Sequence, residues 1–359
     1  MRVAVLTFQF ADNYGAMLQA CALKHYLSAL GAEVSFIDYT PEQERRFYSL
    51  NPFCGKGLRG ILKKTLQITE RPRIHKRFDE FRKEELGVPS GIAYDPERLA
   101  RDFDLIVAGS DQIWNKRIVG DVAPYLLKGV PKDCVKASYA ASLSVVERSD
   151  YESAETLDAL KDFDFISVRE AGSQRMLSSL GLEVKTVVDP VFLPTASYWK
   201  QFGKKPQSVA PDERYAVMYL LRDDADCIER AERYARKQNI RLFTVHPLNR
   251  RVRSKSAQLI ADADPREFVW LIEHADAVFT NSFHATSFSA IFEKKLMYLH
   301  QKELGERAAD LLGTVRVTPA DDDLVTVSCE NSTGFTERKA ISTEFIDSVF
   351  RAAKERENN

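Results

Sequence analysis

Residues 2–39 read RVAVLTFQFADNYGAMLQACALKHYLSALGAEVSFIDY, and their pattern predicts the architecture of the whole chain. The β-branched and apolar run Arg2–Phe8 predicts a buried strand, and Glu33–Tyr39 predicts a second one. Between them, Ala16–Leu30 has apolar residues at close to helical spacing, and Gly31 stands where a C-terminal cap belongs. A strand, a helix and a strand in so short a stretch predict a βαβ unit with two parallel neighbouring strands.

Strands and helices continue to alternate through both halves of the chain. Further strands are predicted at Asp104–Ala108, Lys136–Ala141, Phe165–Val168, Val184–Val188, Tyr215–Leu221, Arg241–Val245, Ala277–Thr280 and Leu296–Leu299. Helices are predicted at Ser153–Lys161, Glu170–Leu180, Ala225–Gln238, Pro265–His274, Ala285–Lys294 and Ser342–Arg356. This alternation predicts an α/β fold of two Rossmann-like, doubly wound domains that face each other across a cleft.

The irregular segment Thr195–Asp212 predicts the linker between the two domains. The N-terminal domain is therefore expected to span 1–198. The C-terminal domain is expected to span 199–359, with a closing helix at 342–356. A helical surface insertion is expected at 42–85, a segment rich in Arg and Lys.

The insertion at 42–85 carries an excess of positive charge. Its turns are expected around Pro52–Gly60, and positions 56–84 hold ten basic residues against four acidic ones. A solvated charged face is the favoured interpretation. The alternative is a surface for an anionic partner, such as a phosphate-bearing substrate or lipid headgroups, which would place the protein peripherally at the inner face of a membrane.

Composition argues against several classes of protein. The 359 residues are 44% apolar and 29% charged with a formal net charge of −1, which is untypical of disordered chains and of dedicated nucleic-acid binders. The longest apolar run, Tyr215–Leu221, is too short to cross a bilayer, and Met1–Phe8 does not resemble a signal peptide. The five cysteines form no C-x-x-C pair and predict reduced thiols in a cytoplasmic protein. They are Cys21, Cys54, Cys134, Cys227 and Cys329.

Ligands of open α/β sheets bind beyond the carboxyl ends of strands, at helix N-termini, so polar residues there are candidates for a site. After the first strand, Asn13, Tyr14 and Gly15 form such a turn, in which Gly15 lets the backbone approach a ligand. A plain turn in which Asn13 or Asp12 caps the helix is an equally good interpretation.

A second candidate turn, Gly109–Asn115, directly follows a predicted buried strand and places four polar side chains around Trp114. Asp111 could accept a proton from a hydroxyl nucleophile, whereas its structural role would be a helix cap. Trp114 could pack against a sugar ring, although an isolated Trp more often belongs to the core. Ser110 and Gln112 belong to the same polar set.

Two further strand ends carry residues suited to anions. Arg169, just before a helix, can bind a carboxylate or phosphate through two parallel hydrogen bonds, or else pair with Glu170. After Ala277–Thr280, His284 is expected in or just before the first helical turn, where the helix dipole attracts anions. Polar neighbours and free backbone N–H groups complete a phosphate cradle. The neighbours are Asn281, Ser282 and Thr286.

Motifs for other chemistries are missing from the sequence. No two His residues stand at i,i+4 spacing and no acidic cluster accompanies them, so no metal site is predicted. There is no G-x-G-x-x-G, P-loop or G-x-S-x-G motif, which argues against dinucleotide, ATP and serine-hydrolase chemistry. Group transfer between the two domains is the favoured reaction class.

Six motifs, in order over roughly residues 1–300, resemble the polysaccharide pyruvyl transferase family. They are DNYGAMLQ at 12–19, GSDQIWN at 109–115, SYAAS at 138–142, SVRE at 167–170, VDP at 188–190 and TNSFH at 280–284. Each motif alone is weak, but six in the same order are specific. The resemblance implies a two-domain fold similar to that of GT-B glycosyltransferases, with the site in the cleft.

The resemblance also implies an activity. Members transfer the pyruvyl group of phosphoenolpyruvate to two hydroxyls of a sugar in a cell-surface polysaccharide or its precursor, making a pyruvate ketal and releasing phosphate. Phosphoenolpyruvate is then the co-substrate, no cofactor is expected, and the acceptor is a sugar or a lipid-linked oligosaccharide.

Roles for the candidate residues follow from the resemblance. His284 is the expected general acid and Asp111 a weaker candidate for the base, while Trp114 would stack on the acceptor. The donor-binding residues would be Arg169, Asn281, Ser282 and Thr286. The acceptor-binding residues would be Asn13, Tyr14, Gly15, Ser110, Gln112 and Trp114.

One departure separates this chain from the family pattern. Characterised members often have an Arg two residues before the motif His and a Gly after it, whereas here those positions hold Ser282 and Ala285. The missing Arg removes one anion-binding group, and Lys294, Lys295 or Arg222 could replace it. Two alternatives follow: a nucleotide-sugar-dependent glycosyltransferase on the same fold, and a non-catalytic glycan-assembly relative.

Overall fold

Strands and helices alternate along the chain as predicted. The computed structural model describes residues 1–49, 51, 71–144, 148–299 and 305–357. Outside these residues lie the turns predicted around Pro52–Gly60, the thiol of Cys54 and positions 56–70 of the basic segment.

The described strands number thirteen and the described α-helices also thirteen. The strands are β1 (Arg2–Leu6), β2 (Glu33–Phe36), β3 (Leu105–Asp111), β4 (Val135–Ala141), β5 (Phe165–Val168), β6 (Lys185–Thr186), β7 (Tyr215–Tyr219), β8 (Arg241–Thr244), β9 (Gln258–Leu259), β10 (Ala277–Thr280), β11 (Lys295–Tyr298), β12 (Arg316–Pro319) and β13 (Val325–Ser328). The helices are α1 (Tyr14–Ala29), α2 (Glu42–Tyr48), α3 (Arg71–Phe81), α4 (Pro96–Asp102), α5 (Lys116–Val119), α6 (Ala154–Lys161), α7 (Ala171–Ser179), α8 (Ala196–Phe202), α9 (Ala225–Gln238), α10 (Pro265–His274), α11 (Phe283–Ile291), α12 (Gly305–Leu312) and α13 (Thr333–Glu357). A π-helical turn at Arg82–Leu86 extends α3.

The first sheet holds six parallel strands in the order β2-β1-β3-β4-β5-β6. β1 pairs in parallel with both β2 and β3, so the predicted βαβ unit is confirmed. β3 continues to Asp111, through residues that the sequence predicted to form a turn. Gly109 allows this close pairing, because a Cβ at its position would lie 2.2 Å from the carbonyl oxygen of Tyr139.

The second sheet has the order β12-β13-β11-β10-β7-β8-β9, with five parallel strands and an antiparallel pair at one edge. The strands β9, β12 and β13 were not predicted, since β9 has two residues and β12 is exposed along its length. Two mainly parallel sheets flanked by helices confirm the predicted α/β fold of two Rossmann-like domains. The boundary near residue 198 stays a prediction.

The helix α13 packs on the first sheet, although the sequence assigned it to the C-terminal domain. It begins at Thr333, earlier than the predicted 342, and lies against β4 and β6. Its apolar side chains at Phe345, Ile346 and Val349 line a small apolar cavity together with residues of α1, β3 and β4. The placement differs from expectation because this apolar stripe finds its partner surface on the first sheet.

The segment predicted as an irregular linker contains the helix α8. Thr195 caps this helix, because its hydroxyl oxygen accepts from the backbone N–H of Tyr198 at 3.1 Å. Trp199 is fully buried, donates its indole N–H to the carbonyl of Val191 at 2.8 Å, and packs edge-on against Phe288 with ring centroids 5.0 Å apart. The linker therefore adds to the core between the two sheets.

The two lobes contact each other through α1, α3 and α10. The Tyr14 ring stacks on Phe268 with centroids 4.5 Å apart. The Arg77 guanidinium donates to the carboxylates of Asp264 and Glu267, both at 3.0 Å. One face of the first lobe is thus fixed against the second by an aromatic stack and by a half-buried arginine that pairs with two buried carboxylates.

Other cations in the described part of the basic segment also pair with nearby acids. Arg82 binds Asp12 at 2.9 Å and Lys83 binds Asp79 at 2.8 Å. Membrane contact by this segment stays a prediction. Among the described residues, no helix is both long and apolar enough to cross a bilayer.

We expect Phe78→Ala to lower the free energy of unfolding by about 3–5 kcal/mol, because it removes a large buried side chain and leaves a cavity. Phe78 is fully buried, and its ring lies 5.2 Å from that of Tyr14. The matched control is Phe47→Ala, whose side chain is 53% exposed and should cost less than about 1 kcal/mol. Urea denaturation measures the free energy of unfolding of both variants. Equal decreases in the two variants would contradict the role of Phe78 in the lobe contact.

Candidate active site

The carboxyl ends of both sheets meet where the lobes face each other, and Arg169 lies at the centre. This residue directly follows β5 and is 3% exposed. Its Nη1 donates to Asp189 at 2.7 Å and its Nε donates to Glu170 at 3.0 Å. Burial opposes the charge, but the two carboxylates outweigh it and raise the pKa of Arg169. The guanidinium also lies over the Phe283 ring, 4.3 Å from its centroid.

Asp189 is fully buried behind this arginine. Its other carboxylate oxygen accepts from the backbone N–H of Val191 at 3.1 Å. Burial alone would raise the pKa of Asp189, but the positive charges of His284 and Arg169 lower it well below the ordinary range. Asp189 therefore stays ionised and, with Glu170, supplies the negative charge that the buried Arg169 needs.

His284 lies in the first turn of α11, where the sequence placed it. Its Nε2 is 3.6 Å from the Asp189 carboxylate. The imidazole lies directly against the first turn of α1, because a Cβ added to Gly15 would be 2.0 Å from its Nδ1. Only Gly at position 15 leaves room for the His284 imidazole. This is a second reason for Gly15, beside the close approach of a ligand that the sequence predicted.

Arg307 on α12 brings a second buried guanidinium to this cluster, and the sequence analysis did not find it. It is 7% exposed. Burial lowers the pKa of Arg307, and the neighbouring charge of Arg169 lowers it further, while Glu170 and Asp111 act in the opposite direction. The helix that carries Arg307 lies beside the Arg169 ion pair, because Asp310 of that helix accepts from the backbone N–H of Ala171, the residue after Glu170, at 3.2 Å.

Four polar side-chain atoms of this region are buried without a hydrogen-bond partner in the described chain, which has six such atoms altogether. They are Arg169 Nη2, His284 Nε2, Tyr298 Oη and Arg307 Nε. Tyr298 ends β11 beside the end of β10, since it pairs in register with Thr280. Buried donors without acceptors are costly, so this cluster is suited to a ligand with several anionic oxygens.

Two of the predicted donor residues hold the turn before α11 instead of facing the cluster. The Asn281 side chain accepts from the backbone N–H of Leu221 at 2.9 Å and donates to the carbonyl of Arg222 at 2.7 Å. The Thr286 hydroxyl donates to the carbonyl of Ser282 at 3.2 Å and is fully buried. Direct donor binding by Asn281 and Thr286 does not fit this geometry, whereas Ser282 begins the helix that carries His284.

Neither predicted acceptor aromatic presents an open face. Trp114 is fully buried and donates its indole N–H to the carbonyl of Tyr125 at 3.0 Å, so the expected stacking on a sugar does not fit. Tyr14 lies between the lobes and donates its hydroxyl to the carbonyl of Ala263 at 2.9 Å. Asn13 caps α1, as the alternative interpretation proposed.

The polar residues at the end of β3 differ in their surroundings. The Ser110 hydroxyl is buried and donates to the carbonyl of Ala140 at 2.9 Å. Gln112 accepts from the Asn115 amide at 3.1 Å. Asp111 accepts from the backbone N–H of Gln112 at 2.8 Å and has no cation partner among the described residues. Its carboxylate lies close enough to the arginine cluster to raise the pKa of Arg169.

The lysines expected to replace the missing family Arg lie elsewhere. Lys294 and Lys295 stand at the start of β11, and Lys295 is 3.9 Å from Asp321. Arg222 is exposed in the loop after β7. The cation that the structure brings to the cluster is Arg307.

Fold and site together define an α/β protein with two Rossmann-like lobes and, between them, a buried cluster of charged side chains that includes donors without partners. The family model of polysaccharide pyruvyl transferases matches residues 13–299, about four fifths of the chain. The protein therefore belongs to the polysaccharide pyruvyl transferase family. No curated protein sequence matches the chain significantly.

Solved structures with a similar chain path include two epimerases and a glycosyltransferase. The putative UDP-N-acetylglucosamine 2-epimerase from Listeria monocytogenes is 13% identical, with 99% of this chain and 90% of that chain covered and a TM-score of 0.48. The UDP-N-acetylglucosamine 2-epimerase from Rickettsia bellii is 10% identical, with 99% of this chain and 97% of that chain covered and a TM-score of 0.48. The glycosyltransferase SnogD from Streptomyces nogalater is 12% identical, with 99% of this chain and 98% of that chain covered and a TM-score of 0.38. Similarity at this level says nothing about activity.

We expect Asp189→Asn to lower the free energy of unfolding at pH 7 by about 3–5 kcal/mol, because it leaves the Arg169 charge buried without its partner. The folded pKa of Asp189 is lowered, so its stabilisation is present above the unfolded value of about 3.9 and is lost as the pH falls through the folded value. The gap between wild type and variant should therefore persist at pH 5 and narrow only in stronger acid. Urea denaturation at pH 7, 5 and 3 measures it.

Asp133→Asn is the control, since this carboxylate is exposed and has no partner among the described residues. It should change the free energy of unfolding by less than about 0.5 kcal/mol. If Asp189→Asn lowers the free energy of unfolding no more than Asp133→Asn does, the buried pair of Asp189 and Arg169 does not stabilise the site.

Proposed function

We propose that the protein transfers the pyruvyl group of phosphoenolpyruvate to two hydroxyls of a sugar, forming a pyruvate ketal and releasing phosphate. The observation that carries this proposal is the group of unpartnered buried donors at Arg169, His284, Tyr298 and Arg307. Phosphoenolpyruvate has a carboxylate and a phosphate, whose oxygens would accept hydrogen bonds from them. Membership of the family supports the same reaction.

Each arginine has a distinct part in holding the donor. Asp189 and Glu170 fix the Arg169 guanidinium from two sides, so that Nη2 is left to donate to one anionic group. Arg307 and Tyr298 come from the second lobe and would donate to the other anionic group. In a site with so little water, such fixed donors stabilise a developing charge more strongly than they would in solvent.

His284 supplies the proton that the reaction needs. Protonation of the donor methylene carbon makes the neighbouring carbon electrophilic, so that a sugar hydroxyl can attack it. The Asp189 carboxylate, 3.6 Å away, stabilises the protonated imidazole that serves as the acid. Phosphate leaves from the same carbon, and the second hydroxyl then closes the ketal ring.

The proposal extends to the acceptor and the compartment. The acceptor would be a sugar of a cell-surface polysaccharide, or its lipid-linked precursor, which the enzyme would modify in the cytoplasm. Phosphoenolpyruvate would be the co-substrate, with no further cofactor. Residues 56–84 would bring the enzyme to lipid headgroups if the acceptor is membrane-bound.

We expect phosphoenolpyruvate to raise the melting temperature, and phosphate to appear when methyl β-galactoside or N-acetylmannosamine is added as acceptor. His284→Gln should weaken donor binding by no more than about 10-fold, since three of the four unpartnered donors remain, and should slow phosphate release by at least about 100-fold, because the proton donor is lost. Thermal shift and a colorimetric phosphate assay measure the two effects.

Two outcomes would overturn the proposal. Stabilisation by UDP or GDP but not by phosphoenolpyruvate would favour a nucleotide-sugar glycosyltransferase. Acceptor binding by wild type and His284→Gln alike, with no phosphate release from either across a broad glycan panel, would favour the non-catalytic alternative.

We expect Arg307→Ala to raise the KM for phosphoenolpyruvate by about 10–100-fold, because one hydrogen bond between charged groups is worth about 1.5–3 kcal/mol. Arg307→Lys should restore part of the affinity, since it keeps the charge but loses the fixed fork of donors. Lys294→Ala is the control and should leave the KM unchanged. Steady-state kinetics at varied donor concentration measures all three, and an unchanged KM in Arg307→Ala would remove Arg307 from the donor site.

A further inference from the structure

The helix α12, which carries Arg307, is attached to the first lobe through Asp310. One carboxylate oxygen of Asp310 accepts from the backbone N–H of Ala171 at 3.2 Å, and the other pairs with the Arg338 guanidinium of α13. The side chains of Asp310 and Arg338 are only 20% and 18% exposed. Because α12 follows β11 of the second sheet and Ala171 begins α7 after β5 of the first, Asp310 forms a contact between the lobes.

This contact also supplies the N-terminal cap of α7. In the described chain, Glu170 stands at the N-cap position of α7, but its side chain accepts from none of the backbone N–H groups there. Its carboxylate instead accepts from Arg169 at 3.0 Å and from Ser142 at 2.7 Å. The Asp310 carboxylate takes the place of the missing cap, where the helix dipole favours a negative charge. The bond that attaches α12 therefore satisfies a group of the first lobe as well.

The helix α13 holds α12 and the segment before Asp189 at the same time. Arg338 of α13 pairs with Asp310, and four residues later the Ser342 hydroxyl oxygen accepts from the backbone N–H of Val188 at 2.9 Å. Residues four apart lie on the same face of a helix. One face of α13 therefore fixes Asp310 on one side of the cleft and the residue before Asp189 on the other.

A small cavity joins these contacts to the Arg169 ion pair. Its volume is about 10 Å³, which is room for about one water molecule. The four charged side chains that line it are Arg169, Asp189, Asp310 and Arg338. The pair of Asp310 and Arg338 therefore lies next to the pair of Asp189 and Arg169, and the space between the two pairs is too small for a donor molecule.

The position of α12 decides where the Arg307 guanidinium is presented. This helix also lies against α11, whose first turn carries His284. Arg307 precedes Asp310 by three residues, about one turn of α12, and its Nε is buried without a hydrogen-bond partner in the described chain. Since hydrogen bonds weaken steeply as their geometry worsens, a small shift of α12 would weaken what Arg307 can bind.

We propose that Asp310 is a positioning residue of the donor site: bound to Ala171 and Arg338, it fixes α12 so that Arg307 donates to an anionic group of phosphoenolpyruvate. This inference rests on the proposed function and adds the residue that sets the position of Arg307. Asp310 acts without touching the donor, since the cavity that it lines is too small for one.

The sign of the effect separates positioning from direct electrostatics. Asp310 carries a negative charge, so its removal would by charge alone favour an anionic ligand, and it would leave the positive charge of Arg338 without its partner. Positioning requires the opposite, because an α12 that is no longer attached presents Arg307 less well. Weaker binding of phosphoenolpyruvate after loss of a carboxylate is therefore the diagnostic result.

Asp310→Ala tests the proposal, with Asp347→Ala as the matched control, since Asp347 is exposed on α13. We expect Asp310→Ala to raise the Kd of phosphoenolpyruvate by about 5–30-fold, because a hydrogen bond between charged groups loses its geometry. Asp347→Ala should leave this Kd unchanged. Alanine favours helix more than aspartate does, so neither change weakens its own helix. Isothermal titration calorimetry without acceptor measures the Kd.

Two further variants separate positioning from a general loss of stability. Asp310→Asn keeps an oxygen for the Ala171 N–H and loses only the charge that pairs with Arg338, so it should raise the Kd by about 3–10-fold. The double variant Arg307→Ala/Asp310→Ala should bind within about 3-fold of Arg307→Ala alone, because Asp310 acts through Arg307. Effects that multiply in the double variant would overturn the proposal, as would a lowered or unchanged Kd in both Asp310 variants.

Failure of this inference and failure of the proposed function give different results. If wild type shows neither a heat of binding nor a melting-temperature shift with phosphoenolpyruvate, the proposed function is wrong and the inference falls with it. If wild type binds phosphoenolpyruvate and Asp310→Ala has the same Kd as Asp347→Ala, the positioning role of Asp310 alone is wrong.

Discussion

Arg169 keeps a positive charge in an almost fully buried position, and the rest of the site depends on how that charge is held. Burying the cation alone would cost several kcal/mol, so its two carboxylate partners must be buried with it. Asp189 and Glu170 can both reach it because β5 and β6 are parallel neighbours whose carboxyl ends lie at the same edge. Their pairing uses two sides of the guanidinium and leaves Nη2 for a ligand. A structural ion pair thereby also forms part of a binding site.

The cleft is divided by charge. His284, Tyr298 and Arg307 belong to the second lobe and offer hydrogen-bond donors without partners, whereas Asp111 at the end of β3 in the first lobe is a carboxylate without a cation partner among the described residues. The second-lobe wall is therefore the one suited to the anionic oxygens of a ligand. Because these donor side chains are almost fully buried, their charges act on a neighbouring group more strongly than they would in water.

Hydrophobic periodicity predicted most of the architecture, because it reports which side of each element is buried; α9 and α10 have the predicted bounds. Short exposed strands such as β12 lack this signal. Inspection of strand ends found Arg169 and His284, and the same rule applied to β11 would have drawn attention to Tyr298 and the helix that carries Arg307. The structural role of Asn281 could not have been found, since only folding brings its side chain to the backbone of Leu221 and Arg222.

The site is formed by both lobes together, and the contact between Gly15 of the first lobe and His284 of the second is the reason. The imidazole of His284 fills the space that a Cβ of residue 15 would take, so the first turn of α1 lies against the first turn of α11. The positive ends of two helix dipoles thus face one place, to which Arg307 adds a full charge. This excess of positive potential favours an ionised Asp189 despite its burial and favours a ligand with two anionic groups. Ser282 in place of the Arg often found in the family then removes less attraction than the resemblance alone suggests, because Arg307 on α12, the helix that follows β11 of the same sheet, supplies a cation.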